Sequence, residues 1–347
     1  MLDWLACALV KALGAALSGL PPQAVTWLGA QLGVLALGMS SRRARLARTN
    51  VRAAFNGQLM PGQVRALIRR CYEHLGMSAL EMLRLPAMDA AYVERHVTIE
   101  GAGRLEQAAA SGRPVILLTG HYGNWELSSI VAALRGYPIV ALARAQEKFP
   151  RLYRLLVSYR ESKGCMIVHK GGAMKRLVAA LDQGRIVGIV GDQASRQGTF
   201  IEFFGRPALF ARGPFALAHG RGAILIPVFI HRVRGPFHRI VIEPPIEPRP
   251  DLPEDEAIPL AMRRFAELLQ RHVTEDPAQW LWLHNRWKRT PARRALVLSD
   301  GKRGHVKQSE TVVEALRERF PQLAADTIEV RFRSPLARGL CALLNRV

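Results

Sequence analysis

The stretch Val115-Ile116-Leu117-Leu118-Thr119-Gly120-His121-Tyr122-Gly123-Asn124-Trp125-Glu126 decides how this chain is read. Its first five residues form an apolar run of strand length. Asn124 then stands where a helix would take its N-cap, ahead of Leu127, Ile130, Val131 and Leu134 at i, i+3, i+4, i+7 spacing. Gly120 and Gly123 let the backbone between strand and helix bend tightly and approach a substrate. The junction therefore carries a histidine and a carboxylate five residues apart. An imidazole can act as a general base near neutral pH, and a nearby carboxylate can orient and polarise it. The bland alternative makes Glu126 a helix-start charge and His121 a hydrogen-bonded turn residue. Open α/β sheets place ligands at the carboxyl ends of strands, which favours the chemical reading of an enzyme that activates a hydroxyl group.

Outward from this junction, short apolar runs alternate with helical stretches. Strands are predicted at Val115–Thr119, Ile139–Ala143, Met166–Val168, Ile186–Val190, Ile224–Ile230 and Arg239–Ile242, and helices at Asn124–Leu134 and Ala173–Leu181. Upstream, the apolar spacing from Pro61 to Leu85 predicts a helix, and Gly101–Ser111 a short one. Downstream, the acidic, proline-rich Glu243–Pro259 reads as a link into a helix at Leu260–Val273. The expected fold is α/β, a central mixed sheet flanked by helices.

Residues 1–40 are almost uncharged, with only Asp3 and Lys11 interrupting. Leu2 to Leu20 is one apolar run, Pro21-Pro22 breaks it, and Val25 to Met39 is a second. Arg42, Arg43, Arg45 and Arg48 follow, and apolar segments with a basic flank suggest membrane contact from the cytoplasmic side. Neither run is a clean span, so an interfacial amphipathic helix competes with a spanning one and with a pair of buried helices. A secretory signal peptide is not expected, because the charged n-region and a small-residue cleavage site are missing. The expected organisation is membrane-associated helices over 1–40, a catalytic domain over 41–291 and a basic extension over 292–347.

The 347 residues carry 49 Lys+Arg against 28 Asp+Glu, a net charge of +21. Such a surface suits polyanions: anionic lipid, phosphorylated substrates, an acidic carrier protein or nucleic acid. Nucleic acid is not favoured, since the basic residues are dispersed and no zinc-finger or RNP-type motif is present. Cys7, Cys71, Cys165 and Cys341 lie far apart, which argues against a disulfide framework and fits a reducing compartment. The sequence has no G-x-x-x-x-G-K-[ST], H-E-x-x-H or complete G-x-G-x-x-G, and its ten histidines show no ligand spacing. No metal and no cofactor is expected, and His169, His219, His231 and His238 read as surface or structural residues.

Further polar residues stand at predicted strand and turn ends. Arg144 follows Ile139–Ala143, Arg160 precedes Lys163-Gly164, and Asp192-Gln193 follows Ile186–Val190. With Phe203-Phe204-Gly205 and the closing Trp282-Leu283-His284-Asn285-Arg286-Trp287-Lys288, these occur in an order that resembles the bacterial lipid A biosynthesis acyltransferase family, across roughly residues 1–291. The resemblance implies a glycerol-phosphate-acyltransferase-like fold in a membrane-bound enzyme. It would move an acyl chain from acyl carrier protein to a hydroxyl of a phosphorylated glycolipid, the lipid A precursor, at the inner membrane. His121 would be the base and Glu126 the group that holds its tautomer, with no covalent intermediate. Arg160 becomes the candidate for oxyanion stabilisation, and Arg144, Asp192, Gln193 and Asn124 position the site. Family members acting on a phosphatidylinositol mannoside or an aminolipid would share these motifs.

The extension departs from that pattern. Ala295–Ser299 reads as a strand, Asp300-Gly301-Lys302-Arg303-Gly304-His305 as a turn and Val306–Arg319 as a helix. The stretch resembles the start of a glycosyltransferase-like family often labelled mitochondrial-fission-like. Residues 292–347 are too few to complete such a domain, so a truncated second α/β domain and a basic tail are both expected possibilities.

Overall fold

A computed structural model describes residues 2–143, 148–169, 172–195, 198–290, 294–321, 323–330 and 334. The chain divides into two compact units, Met1–Lys288 and Arg289–Val347. In the first unit the helices are α1 (Leu2–Ser18), α2 (Pro22–Met39), α3 (Ser41–Ala54), α4 (Pro61–Leu83), α5 (Ala90–His96), α6 (Ala102–Ala110), α7 (Trp125–Leu134), α8 (Pro150–Glu161), α9 (Ala173–Asp182), α10 (Gly213–Arg221) and α11 (Glu254–Glu275). The strands are β1 (Val97–Glu100), β2 (Val115–Thr119), β3 (Ile139–Ala143), β4 (Met166–His169), β5 (Ile186–Val190), β6 (Gly198–Phe203), β7 (Arg206–Ala211), β8 (Ile224–Arg234) and β9 (Phe237–Ile242).

Seven strands form one sheet in the order β1-β9-β8-β2-β5-β3-β4. Neighbours run parallel except β8 and β9, so the sheet is mixed, as the alternation predicts. Side chains alternate across it with period two. Ile116 and Leu118 of β2 and Val187 and Ile189 of β5 join a core with Leu67 of α4 and Phe265 of α11. Val115 of β2 and Ile186 of β5 join a second core with Leu127 and Val131 of α7. Apolar residues on both faces explain why these strands read as continuous apolar runs rather than alternating ones.

All six strands expected before the extension are present. Edge strand β1 and the antiparallel hairpin β6–β7 go beyond them, as do α3, α5, α8 and α10. The link over Glu243–Pro259 is shorter than expected, because α11 already starts at Glu254. Glu254, Asp255 and Glu256 lie in its first turn, where carboxylates suit the helix dipole. Pro259 falls early enough in the helix to displace only one of its first backbone hydrogen bonds.

α1 and α2 pack on α4, and the α2–α4 crossing is close enough to require glycine. A Cβ on Gly33 would lie 2.1 Å from the Tyr72 carbonyl oxygen, and one on Gly76 would lie 2.1 Å from that of Gly29. The other faces of these two helices expose Leu2, Trp4, Leu5, Leu9, Trp27, Leu32, Leu35 and Met39. No single helix among the described residues is long and apolar enough to cross a membrane, and α2 and α3 meet at a 97° bend.

The second unit is a βαβ arrangement. β10 (Arg294–Ser299) and β11 (Ala324–Glu329) pair in parallel and are joined through α12 (Arg303–Arg319). Val297, Val313 and Leu323 make its small core.

Candidate active site

The chemistry-bearing residues converge because β2 and β5 are parallel neighbours. Thr119 at the end of β2 is paired with Val190 at the end of β5, so the segments that follow leave the sheet side by side. The Gly191 N–H donates to the Thr119 carbonyl at 2.8 Å, and the next residue, Asp192, meets His121. The His121 backbone N–H donates to Asp192 Oδ2 at 2.9 Å, and its ring Nδ1 lies 2.5 Å from Asp192 Oδ1. The indole N–H of Trp280 donates to Oδ2 at 2.9 Å.

Asp192 is completely buried. Burial opposes its charge, but the His121 imidazole and the hydrogen bonds it receives outweigh this and hold the carboxyl well below the usual range. Burial likewise opposes a cationic His121, yet the Asp192 charge and hydrogen bond prevail and raise the imidazole above its ordinary value, with a smaller push from Glu126. A carboxylate at Nδ1 fixes the neutral ring as the Nδ1–H tautomer. Nε2 is then an acceptor, and the side-chain amide nitrogen of Gln193 lies 3.1 Å from it.

The turn itself is clamped from the far end of the chain. The Gly123 N–H donates to the Gln279 carbonyl at 2.9 Å, and the Leu281 N–H to the His121 carbonyl at 3.0 Å. Gly123 has φ +59°, and a Cβ there would stand 1.7 Å from the Ile230 carbonyl oxygen. Only glycine fits.

Glu126 does not hold the imidazole. It sits in the first turn of α7 and its Oε2 accepts from Arg160 of α8, from Nε at 3.0 Å and Nη2 at 2.9 Å. The helix start directs this carboxylate to α8, while the imidazole takes its carboxylate from the neighbouring strand end. Arg160 also donates from Nη1 to the Leu156 carbonyl at 3.1 Å, and each Nη still carries a second N–H. Asn124 occupies the N-cap position of α7 but makes no side-chain cap. Its Nδ2 instead donates to the buried Glu81 Oε2 at 2.9 Å, and that carboxylate also pairs with buried Arg232 at 2.5 Å. Arg144 lies outside the described residues.

The aromatic motifs build the wall of the site. Phe203 ends β6, and Phe204, at φ +54°, starts the turn into β7. Phe203 packs edge-on against Trp280 at 5.5 Å between centroids, and Phe204 packs against Trp282 at 6.3 Å. Asn50 of α3 donates to the Trp282 and His284 carbonyls, each at 2.8 Å, and thereby pins the closing segment. The His284 ring lies 6.2 Å from that of His121. Burial pushes His284 down to about 4, so it is neutral at pH 7. Arg286 is buried over the Phe210 ring at 4.0 Å and donates to the Leu209 carbonyl at 2.7 Å. Its Nε and Nη2, and both ring nitrogens of His284, have no hydrogen-bond partner among the described residues.

His284 and Arg286 belong to the closing motif Trp282–Lys288, whereas Trp280, whose indole holds Asp192, lies two residues ahead of it. Only the tryptophan-rich composition of 280–287 could have flagged Trp280. Burial lifts the Cys165 thiol to about 11, which leaves it a core residue rather than a nucleophile. One group among the described residues, His231, His272 and Glu275, brings potential metal ligand atoms within 4.8 Å of one another. Two of those atoms, the facing nitrogens of His231 and His272, already hydrogen-bond each other at 2.8 Å.

Residues 1–289 match the family model for bacterial lipid A biosynthesis acyltransferase. The lipid A biosynthesis palmitoleoyltransferase of Escherichia coli (strain K12) is 25% identical over 280 residues, 78% of this chain and 87% of the relative. The lipid A biosynthesis lauroyltransferase of the same strain is 26% identical over 278 residues, 78% of this chain and 88% of the relative. A phosphatidylinositol mannoside acyltransferase of Mycobacterium tuberculosis (strain CDC 1551 / Oshkosh) is 28% identical over 223 residues, 62% of this chain and 68% of the relative. The chain therefore belongs to the bacterial lipid A biosynthesis acyltransferase family and is an O-acyltransferase.

Proposed function

We propose that this enzyme transfers a fatty acyl chain from acyl carrier protein to a hydroxyl of a phosphorylated lipid A precursor, with His121 as general base. Acyl transfer to a lipid acceptor is the part that family membership supports directly. The observation that carries the base assignment is the His121 ring, tied at Nδ1 to Asp192 and left as an acceptor at Nε2. Gln193 places its amide N–H where an acceptor hydroxyl would donate.

In the reaction, Nε2 takes the hydroxyl proton as the oxygen attacks the thioester carbonyl. The tetrahedral intermediate then collapses, the C–S bond breaks, and the proton on Nε2 goes to the leaving thiolate. The products are the ester and the free carrier thiol, with no acyl-enzyme. Asp192 stabilises the imidazolium formed midway, as the acid does in serine-hydrolase triads. Arg160 is the candidate for the developing oxyanion through its unused N–H groups. Neither metal nor cofactor enters this scheme.

Catalysis takes place at the cytoplasmic face of the inner membrane. The exposed apolar side chains of α1 and α2, next to Arg42, Arg43 and Arg45 on α3, support a helix pair lying in the interface. The charge of +21 suits an acidic carrier protein and a phosphorylated acceptor. A second reading, with a phosphatidylinositol mannoside or aminolipid acceptor, draws on the mycobacterial relative.

The test is transfer of a labelled acyl group from carrier protein to a phosphorylated disaccharide lipid. His121→Ala should lower the rate by about 10²–10⁴-fold. A near-normal rate in His121→Ala contradicts the base assignment, and acylation of another lipid alone supports the second reading.

A further inference from the structure

Next to His121, the wholly buried Tyr122 begins a chain of side chains that the acyl-transfer scheme does not use. Its hydroxyl lies 3.1 Å from His231 Nδ1 on β8. His231 Nε2 lies 2.8 Å from His272 Nδ1 on α11, and His272 Nε2 lies 2.7 Å from Glu243 Oε1, just past β9. The same Glu243 oxygen accepts from Arg271, whose side chain is half exposed. Three segments of the fold, β8, α11 and the end of β9, are thus joined inside the protein to the residue that follows the base.

The direction of every bond is fixed. Glu243 is a carboxylate, held below its usual range against burial by Arg271 and His272, so His272 must donate from Nε2. Burial pushes His231 down to about 4 and also lowers His272, so both rings are neutral at pH 7. Arg239, Asp276, Glu243, Glu275 and Arg271 are the charged groups that act on these two rings. A neutral His272 that donates from Nε2 accepts at Nδ1, so His231 donates from its own Nε2. His231 Nδ1 is then an acceptor, and the Tyr122 hydroxyl donates to it.

We propose that Tyr122, His231, His272 and Glu243 are positioning residues for the acyl transfer, a one-way hydrogen-bond chain that fixes the turn carrying His121. The inference rests on His121 being the base. Tyr122 shares the turn's backbone: its N–H donates to the Gly120 carbonyl at 2.7 Å, and it forms a bridge with Trp280, whose indole holds Asp192. Loss of the phenol hydroxyl leaves a buried acceptor at His231 unpaired and frees the ring to shift. Small misplacements of a catalytic group cost rate rather than binding.

Two measurements test this. In histidine-labelled wild-type protein at neutral pH, nitrogen NMR should find His231 and His272 both neutral and protonated at Nε2. Either ring protonated at Nδ1 overturns the chain. In the acyl-transfer assay, Tyr122→Phe and His272→Leu should lower kcat about tenfold, with KM within about twofold of wild type and a cooperative thermal transition retained. His272→Gln, which keeps one donor and one acceptor, should recover part of that loss. Wild-type kcat per folded molecule in both Tyr122→Phe and His272→Leu overturns the proposal even where His121→Ala is inactive. An active His121→Ala overturns the base assignment instead.

Discussion

Asp192, just past β5, is wholly buried and binds His121 twice and Trp280 once, whereas Glu126, at the start of α7, keeps 37% of its side chain exposed and binds Arg160. Glu126 is five residues from the histidine and Asp192 is 71 away, yet only the distant carboxylate touches the ring. Sheet topology, not sequence spacing, decides which acid orients the base. Proximity along the chain gives Glu126 a share of the local field and no hydrogen bond to the imidazole.

The sharpest way to break this contrast is Asp192→Asn. The amide can reverse the tautomer that leaves Nε2 free, and the rate should fall about 10²–10⁴-fold. A fall no larger than that of Glu126→Gln would erase the distinction. Arg160→Gln should cost about 10²–10³-fold as the loss of an oxyanion donor, and Glu126→Gln roughly tenfold less than Asp192→Asn. Arg160→Gln removes the candidate oxyanion donor together with the partner of Glu126, so adding Glu126→Gln to it should cost little more. Additive losses would mean that Glu126 acts on something other than Arg160.

Much of the molecule was legible in the sequence because its strands are buried on both faces. Val115–Leu118 and Ile186–Val190 carry no polar side chain, as a sheet covered by helices on both sides demands. The edge strand β1 was missed because four residues with polar Thr98 and Glu100 carry little of that signal. The hairpin β6–β7 was missed because Thr199 and Glu202 interrupt the apolar residues of β6 and β7 opens on Arg206-Pro207. Within the site, His121, Asp192 and Gln193 were recognisable as strand-end residues. Their mutual geometry was not, because it depends on β5 lying beside β2 although β3 and β4 come between them in the chain. His231 reads as a surface or structural residue and His272 carries no signal of its own, since nothing in a sequence shows that a strand and a helix bring two rings to 2.8 Å.

The most direct test of the central claim is the pH dependence of kcat/KM in wild type, Asp192→Asn and Glu126→Gln. His121 works only when neutral, and its folded value is raised above the ordinary 6.5. The rate should therefore fall as pH drops through a limb lying above 6.5. Asp192→Asn removes the charge and hydrogen bond that raise the ring, and burial then dominates, so the limb should move to lower pH. Glu126→Gln should move it in the same direction by much less. A limb that shifts with Glu126→Gln and stays in place with Asp192→Asn would contradict the assignment of Asp192 as the acid that sets the base.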